Sequence, residues 1–174
     1  MPRAADDPYP ATPPDVLNRK TQYALRALEY LAHREAQGHV LISEVAEARI
    51  IPLKFLENIL LELRHEGILL SKKGKGGGYG FRIPPAQIPI ARIIRIMDGP
   101  IAMLPCASLY FYERCSQCDE SDCGLHDLMV SVRDANLRIL ENTTLADLAA
   151  GRTKRASPPV PDGQPTPPPG TADR

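Results

Sequence analysis

The sequence predicts a mainly α-helical fold with a small β-hairpin wing: a winged helix-turn-helix followed by a long C-terminal dimerisation helix. Three observations predict it. Apolar residues recur at helical spacing over residues 19–35 and again over 52–67. A basic, glycine-rich segment, SKKGKGGGYGFR at 71–82, follows the second of these runs directly. An apolar stripe then extends for about five turns through GLHDLMVSVRDANLRILENT.

The elements follow in order. Residues 1–14 hold five prolines, and residues 151–174 hold seven with no large apolar residue except Val160. Residues 1–16 and 151–174 therefore read as disordered tails. In RKTQYALRALEYLAHRE, Ala24, Leu25, Leu28, Leu31 and Ala32 share one helical face, and Asn18 is available as a cap. A short helix in SEVAEAR follows, with Ser43 as its expected cap and Val45 and Ala46 opening its buried face. Ile50-Ile51 makes a break, and Pro52 suits the first position of the next helix. That helix, PLKFLENILLELRHEG, is expected to bury Leu53, Leu56, Ile59, Leu60 and Leu63 and to stop at Gly67. ILLSKK and YGFRI read as two strands, with GKGGG as a wing whose glycines let the backbone approach another surface closely. The expected organisation is a winged domain over 17–99, a cysteine-containing loop over 100–123, and the long helix with a short terminal helix over 124–150.

With 174 residues and 43% hydrophobic content, the chain can bury one core. No apolar run is long enough to span a bilayer. MPRAADDPYPATPP carries acids and prolines where a signal peptide has a basic start and an apolar stretch, so the expected location is the cytoplasm. The formal net charge is zero, but the charge is unevenly placed. Residues 15–83 carry eleven Lys and Arg against eight Asp and Glu; residues 106–150 carry three against eight. The basic face is local, and it coincides with the wing.

A helix-turn-helix followed by a purely basic hairpin points to double-stranded DNA. At the start of the second helix, Lys54, Phe55 and Asn58 point out of the core and are the candidates for base edges in a major groove. Ser71, Lys72, Lys73, Lys75, Gly76, Gly77, Gly78 and Tyr79 form the wing candidate, the lysines neutralising phosphates or entering the adjacent minor groove. Along the long helix Leu125, Leu128, Met129, Val132, Ala135, Ile139 and Leu140 present more apolar surface than one small domain hides, which favours a homodimer contact. A winged domain that binds protein partners instead is the competing class; salt dependence separates the two. The sequence shows no phosphate loop, no nucleophile with an identifiable base and no carboxylate pair in a recognisable setting, so an enzyme is not expected.

Four cysteines fall between positions 106 and 123. In a reducing compartment such a group reads as metal ligands or reactive thiols rather than disulfides. Three readings stay open. Cys115, Cys118 and Cys123, with Cys106 or His126 completing the set, suit an iron-sulfur cluster. Cys115, Cys118, Cys123 and His126 come next, as a four-ligand zinc site. A metal-free thiol switch, or cysteines retained as small buried residues, is the third.

The run ISEVAEARIIPLKFLENILLELRHEGILLSKKGKGGGYGFRI resembles the DNA-binding half of the IscR/NsrR-type regulators, the Rrf-two family. Its helix motif is written here Phe55-Leu56-Glu57-Asn58 and its wing motif Gly76-Gly77-Gly78-Tyr79. The resemblance continues through IPIARIIRIMDGP and the cysteine segment to TTLADLA, covering roughly residues 17–150. It implies a dimeric transcriptional regulator, often a repressor, acting on a palindromic operator and sensing iron-sulfur, redox or nitric oxide status through a cluster of the 2Fe-2S type. Cys123 and His126 keep the C-x-x-H of IscR-like members, whereas the spacing of Cys106, Cys115 and Cys118 departs from the family pattern. Where some members use a carboxylate from the partner's first helix, the matching position is Gln22, a poor ligand.

Overall fold

The computed structural model describes residues 17–152; residues 1–16 and 153–174 of the two expected proline-rich tails lie outside the described residues. Among the described residues, six α-helices and one two-stranded sheet are packed around a single core. Helix α1, Arg19–His33, is capped as expected: the Asn18 side chain accepts the Thr21 N–H at 2.8 Å. Asn18 is itself held, its backbone N–H and side-chain amide donating to Asp98 at 3.2 and 2.5 Å. The buried face of α1, Ala24, Ala27, Leu28 and Leu31, is what the rest of the domain packs on.

Helix α2 runs Ile42–Arg49 and α3 runs Leu53–His65. Three expectations are corrected at their starts. Ser43 lies inside α2 and caps nothing, because Val40 is bound into the sheet through reciprocal bonds with Tyr79 (2.9 and 2.8 Å) and the helix begins as soon as the chain leaves that bridge. Pro52 is the N-cap of α3 rather than its first helical residue, and Leu53, expected in the core, is 46% exposed. Leu56, Ile59, Leu60 and Leu63 are buried as the spacing requires.

Both α2 and α3 end in the same hydrogen-bond pair. After α3, Gly67 N–H bonds Arg64 O at 3.1 Å and Ile68 N–H bonds Leu63 O at 2.9 Å, with Gly67 at φ 72°. After α2, Ile50 N–H bonds Glu47 O at 3.3 Å and Ile51 N–H bonds Ala46 O at 2.9 Å, with Ile50 at φ 52° and ψ 52°. Glycine is the usual residue there because the left-handed region crowds a Cβ; for a β-branched residue it costs on the order of 1–3 kcal/mol.

Strands β1, Leu69–Lys72, and β2, Gly78–Phe81, pair antiparallel with Ser71 opposite Tyr79 and Lys72 opposite Gly78. Helix α4, Ile90–Met97, buries Ile90, Ala91, Ile93, Ile94 and Met97. A long irregular segment leads to α5, Gly124–Asn142, and then to α6, Leu145–Ala149. Helix α6 opens with a capping box between Thr144 and Asp147 and packs on α1. Ile90 N–H bonds Thr143 O and Leu145 N–H bonds Ile88 O, each at 2.9 Å, tying the end of α5 to the start of α4. Among the described residues no helix is long and apolar enough to cross a membrane.

Candidate DNA interface and cysteine loop

The helix-turn-helix places its candidates on one exposed end of α3. Lys54 and Asn58 are exposed and Phe55 is 40% exposed. The Lys54 ammonium is 3.1 Å from the Glu57 carboxylate, so part of its charge is already answered within the helix. Phe55 is oriented from outside: the Tyr23 ring of α1 meets it edge-on, with centroids 5.7 Å apart and planes at 80°.

In the wing, Lys72, Lys73, Lys75 and Gly76 are exposed, while Gly77 is buried and Gly78 and Tyr79 are half-buried. The last three seat the hairpin. A Cβ on Gly78 would lie 2.2 Å from Val40 O, and one on Gly77 would lie 2.4 Å from Lys72 O. Only glycine allows that close approach. Ser71 accepts a hydrogen bond from Arg64 Nη1 at 3.3 Å, which links the last turn of α3 to β1. Arg64 lies on this surface, and Tyr23 and the buried Val40 support it from beneath, yet sequence reasoning did not single them out. A basic residue in a last helical turn is the signal that pointed to Arg64; the other two depend on tertiary contact.

The cysteine segment is divided. Cys106 is buried in a 3-10 turn, Pro105–Ala107, anchored to α5 by Arg133 Nη1 donating to Ala107 O at 2.5 Å. Cys115, Cys118 and Cys123 are half-buried in the loop that leads into α5. Their thiols meet at Cys118. Its hydrogen bonds with Cys115 and then Cys123 favour the protonated form and push it up to about 12. Cys115 is pushed the other way, below the ordinary thiol value, first by the Gln117 N–H and then by the Cys118 thiol. Glu120 braces this loop. It accepts the Cys115 N–H at 3.1 Å and the Tyr112 hydroxyl at 2.8 Å, bonds that hold its carboxyl low and raise the tyrosine.

His126 stands in the first turn of α5 with its Nδ1 buried and without a hydrogen-bond partner; Asp127 Oδ1 lies 3.5 Å away without bonding geometry. Three converging thiols and an unsatisfied imidazole nitrogen match a soft metal or an iron-sulfur cluster in donor type. The arrangement stops short of a metal site. Among the described residues no group of three or more His, Cys, Asp or Glu is disposed to hold a metal ion. Cys118 is instead engaged as a thiol with its two neighbours.

The stripe on α5 divides into two faces. Leu137, which periodicity overlooked, is the buried residue of the helix, and Leu140 packs against the core. Met129 and Val132 are half-buried, whereas Leu125, Leu128, Ala135 and Ile139 are exposed, the three large ones at 57%, 56% and 59%. The exposed residues are spaced by about one or two turns and form a seam.

Comparison with known proteins is consistent across sequence and fold. The family model described as "Iron-dependent Transcriptional regulator", Rrf2, matches residues 17–151. An rrf2-like HTH-type transcriptional regulator of Rhodobacter capsulatus is 38% identical over 141 residues, covering 78% of this chain and 94% of that one. IscR of Serratia proteamaculans is 29% identical over 132 residues, covering 76% and 77%. The solved structure of CymR, the global cysteine regulator of Bacillus subtilis, superimposes with a TM-score of 0.65 at 28% identity, covering 77% of this chain and 95% of that one. The winged fold, the exposed α3 and the basic hairpin are thus those of a DNA-binding regulator and not of an enzyme: the chain belongs to the Rrf2 family of transcriptional regulators.

Proposed function

We propose that this regulator acts in the cytoplasm as a homodimeric repressor on a palindromic operator, with the Cys115–His126 loop as its sensor. The observation that carries the reading is continuity. Three thiols gather at the start of α5, and the same helix carries the exposed Leu125, Leu128 and Ile139 seam. A change in the state of the thiols bears directly on the helix through which two copies would pair, and so on the spacing of the two α3 helices along DNA. Cys115, Cys118 and Cys123, with His126 as fourth donor, would hold an iron-sulfur cluster, which would supply sensitivity to oxidants and nitric oxide. The chain's own part is to present the thiols, with Glu120 fixing the Cys115 backbone.

A second reading has its own support. Because the neighbouring thiols of Cys115 and Cys123 hold Cys118 in its protonated form, a metal-free thiol switch fits the loop as it stands, and zinc would serve as a clip. One experiment separates these. Protein purified without oxygen is examined by visible absorption with iron and zinc analysis, and its affinity for DNA is measured before and after chelation. Stoichiometric iron with visible bands and a chelation-dependent affinity supports the cluster sensor. Colourless protein whose affinity changes only on oxidation supports the thiol switch. Equal affinity in every state removes the sensing role of the loop.

A further inference from the structure

The turn between α2 and α3 carries the most exposed large apolar side chain on the described surface. Ile50 is 88% exposed, against 46% for Leu53 and 40% for Phe55 in the helix that follows. It also holds a left-handed backbone conformation, in a terminating motif for which this same chain uses Gly67 at the end of α3. A β-branched residue is unfavourable there on both counts: it strains the backbone and leaves its side chain in water. Neither cost is recovered inside the molecule, since Ile50 projects from a shallow surface hollow shared with Ala46, Glu47, Ile51 and Pro52.

The position of the turn says where the cost is recovered. With Lys54, Phe55 and Asn58 directed at base edges, the residues just before α3 lie at the rim of the same groove. The phosphate backbone is a poor partner for Ile50, and the Glu47 carboxylate in the hollow repels it further. The apolar group that the major groove displays is the thymine 5-methyl. We propose that Ile50 is a specificity-determining residue that packs on thymine methyl groups at the edge of the groove occupied by α3. This rests on the assignment of α3 to the major groove.

The test uses the full chain. Wild-type protein selects its tightest duplex from a random-sequence library, and that duplex is resynthesised with deoxyuridine replacing thymidine one position at a time. Wild type is expected to lose about fourfold in affinity for each methyl that Ile50 contacts. Ile50→Gly, which relieves the backbone, melts higher than wild type, binds the thymine duplex more weakly, and is indifferent to uracil at those same positions. Ile50→Ala keeps the left-handed backbone and loses only side-chain atoms; it is expected to lose affinity likewise. Glycine and alanine variants that retain wild-type affinity and wild-type sensitivity to every uracil overturn the proposal. A loss confined to the glycine variant also overturns it, by assigning the effect to the freed backbone. If wild type selects no duplex at all, the groove assignment fails and this proposal falls with it.

Discussion

The ring of Tyr23 in α1 meets the ring of Phe55 in α3 edge-on at 5.7 Å, so the first helix of the domain orients an exposed aromatic of α3. An edge-to-face pair contributes about 0.5–1.5 kcal/mol beyond the area it buries. Tyr23→Leu keeps bulk on α1 and removes the ring contact. The variant is expected to lose about 0.5–1.5 kcal/mol of unfolding free energy as the ring contact goes, and, if Phe55 must be held for DNA binding, to bind up to about tenfold more weakly. Titration of a labelled duplex, paired with urea denaturation, checks this; unchanged affinity would show that Phe55 needs no support from Tyr23.

Lys72, Lys73 and Lys75 are exposed on the wing. Each lysine that sits on a phosphate is expected to steepen the dependence of log affinity on log salt by about 0.9. Replacing all three by alanine flattens that slope by the number in contact, and weakens binding similarly on all sequences. An unchanged slope would place DNA away from the wing.

Gly78 stands at φ 139° with the place of its missing Cβ 2.2 Å from Val40 O. Gly78→Ala has to break the Val40–Tyr79 bridge or distort β2, at an expected cost of more than about 2 kcal/mol. Gly124, where an added Cβ meets nothing within 4 Å, is the control and tolerates alanine. Thermal melts of the two variants side by side decide whether the wing is seated as described.

Much of this architecture was legible because it is local. The Asn18 cap, the Leu56-Ile59-Leu60-Leu63 stripe and the Gly67 stop each depend on residues within a turn or two of one another. The start of α2 was not legible, since the Val40–Tyr79 bridge that fixes it joins segments far apart in sequence. For the same reason Leu53 read as core: helical spacing identifies a face but not how far the neighbouring helix reaches over it. The site divides in the same way. Lys54, Asn58 and the wing lysines were visible as exposed base and amide, whereas the burial of Cys106, in a turn tied to α5 through Ala107 and Arg133, apart from the thiols gathered at Cys118 is a tertiary outcome that spacing does not encode.

The exposed seam of α5 is the expected pairing surface. Leu128, 56% exposed at its centre, would be buried by a second copy, and Leu128→Asp would then place a charge in an apolar contact. Sedimentation equilibrium is expected to give a dimer for wild type and a monomer for the variant, with helical content unchanged. A monomeric wild type removes the homodimer; a variant that stays dimeric moves the interface elsewhere.

The metal-free cysteine loop has opposite pH dependences built into neighbouring thiols. Cys115 lies below its ordinary value of 9.0, so between its lowered value and 9.0 the native thiol is ionised while the unfolded one is not. That contribution to stability is present above pH 9 and is lost as pH falls through the folded value. Cys118 lies above, at about 12, so between about 9 and 12 the native thiol keeps a proton that the unfolded chain has released. Its contribution is present below about pH 9 and is lost as pH rises through that window. Since the thiolate is the nucleophile, iodoacetamide near pH 8 is expected to label Cys115 well before Cys118. Denaturation of the metal-free chain should show stability falling more steeply above pH 9 in wild type than in Cys118→Ser. Equal labelling of the two cysteines, read by peptide mass spectrometry, would mean that the thiols do not engage one another in solution and would remove the structural basis of the thiol-switch reading.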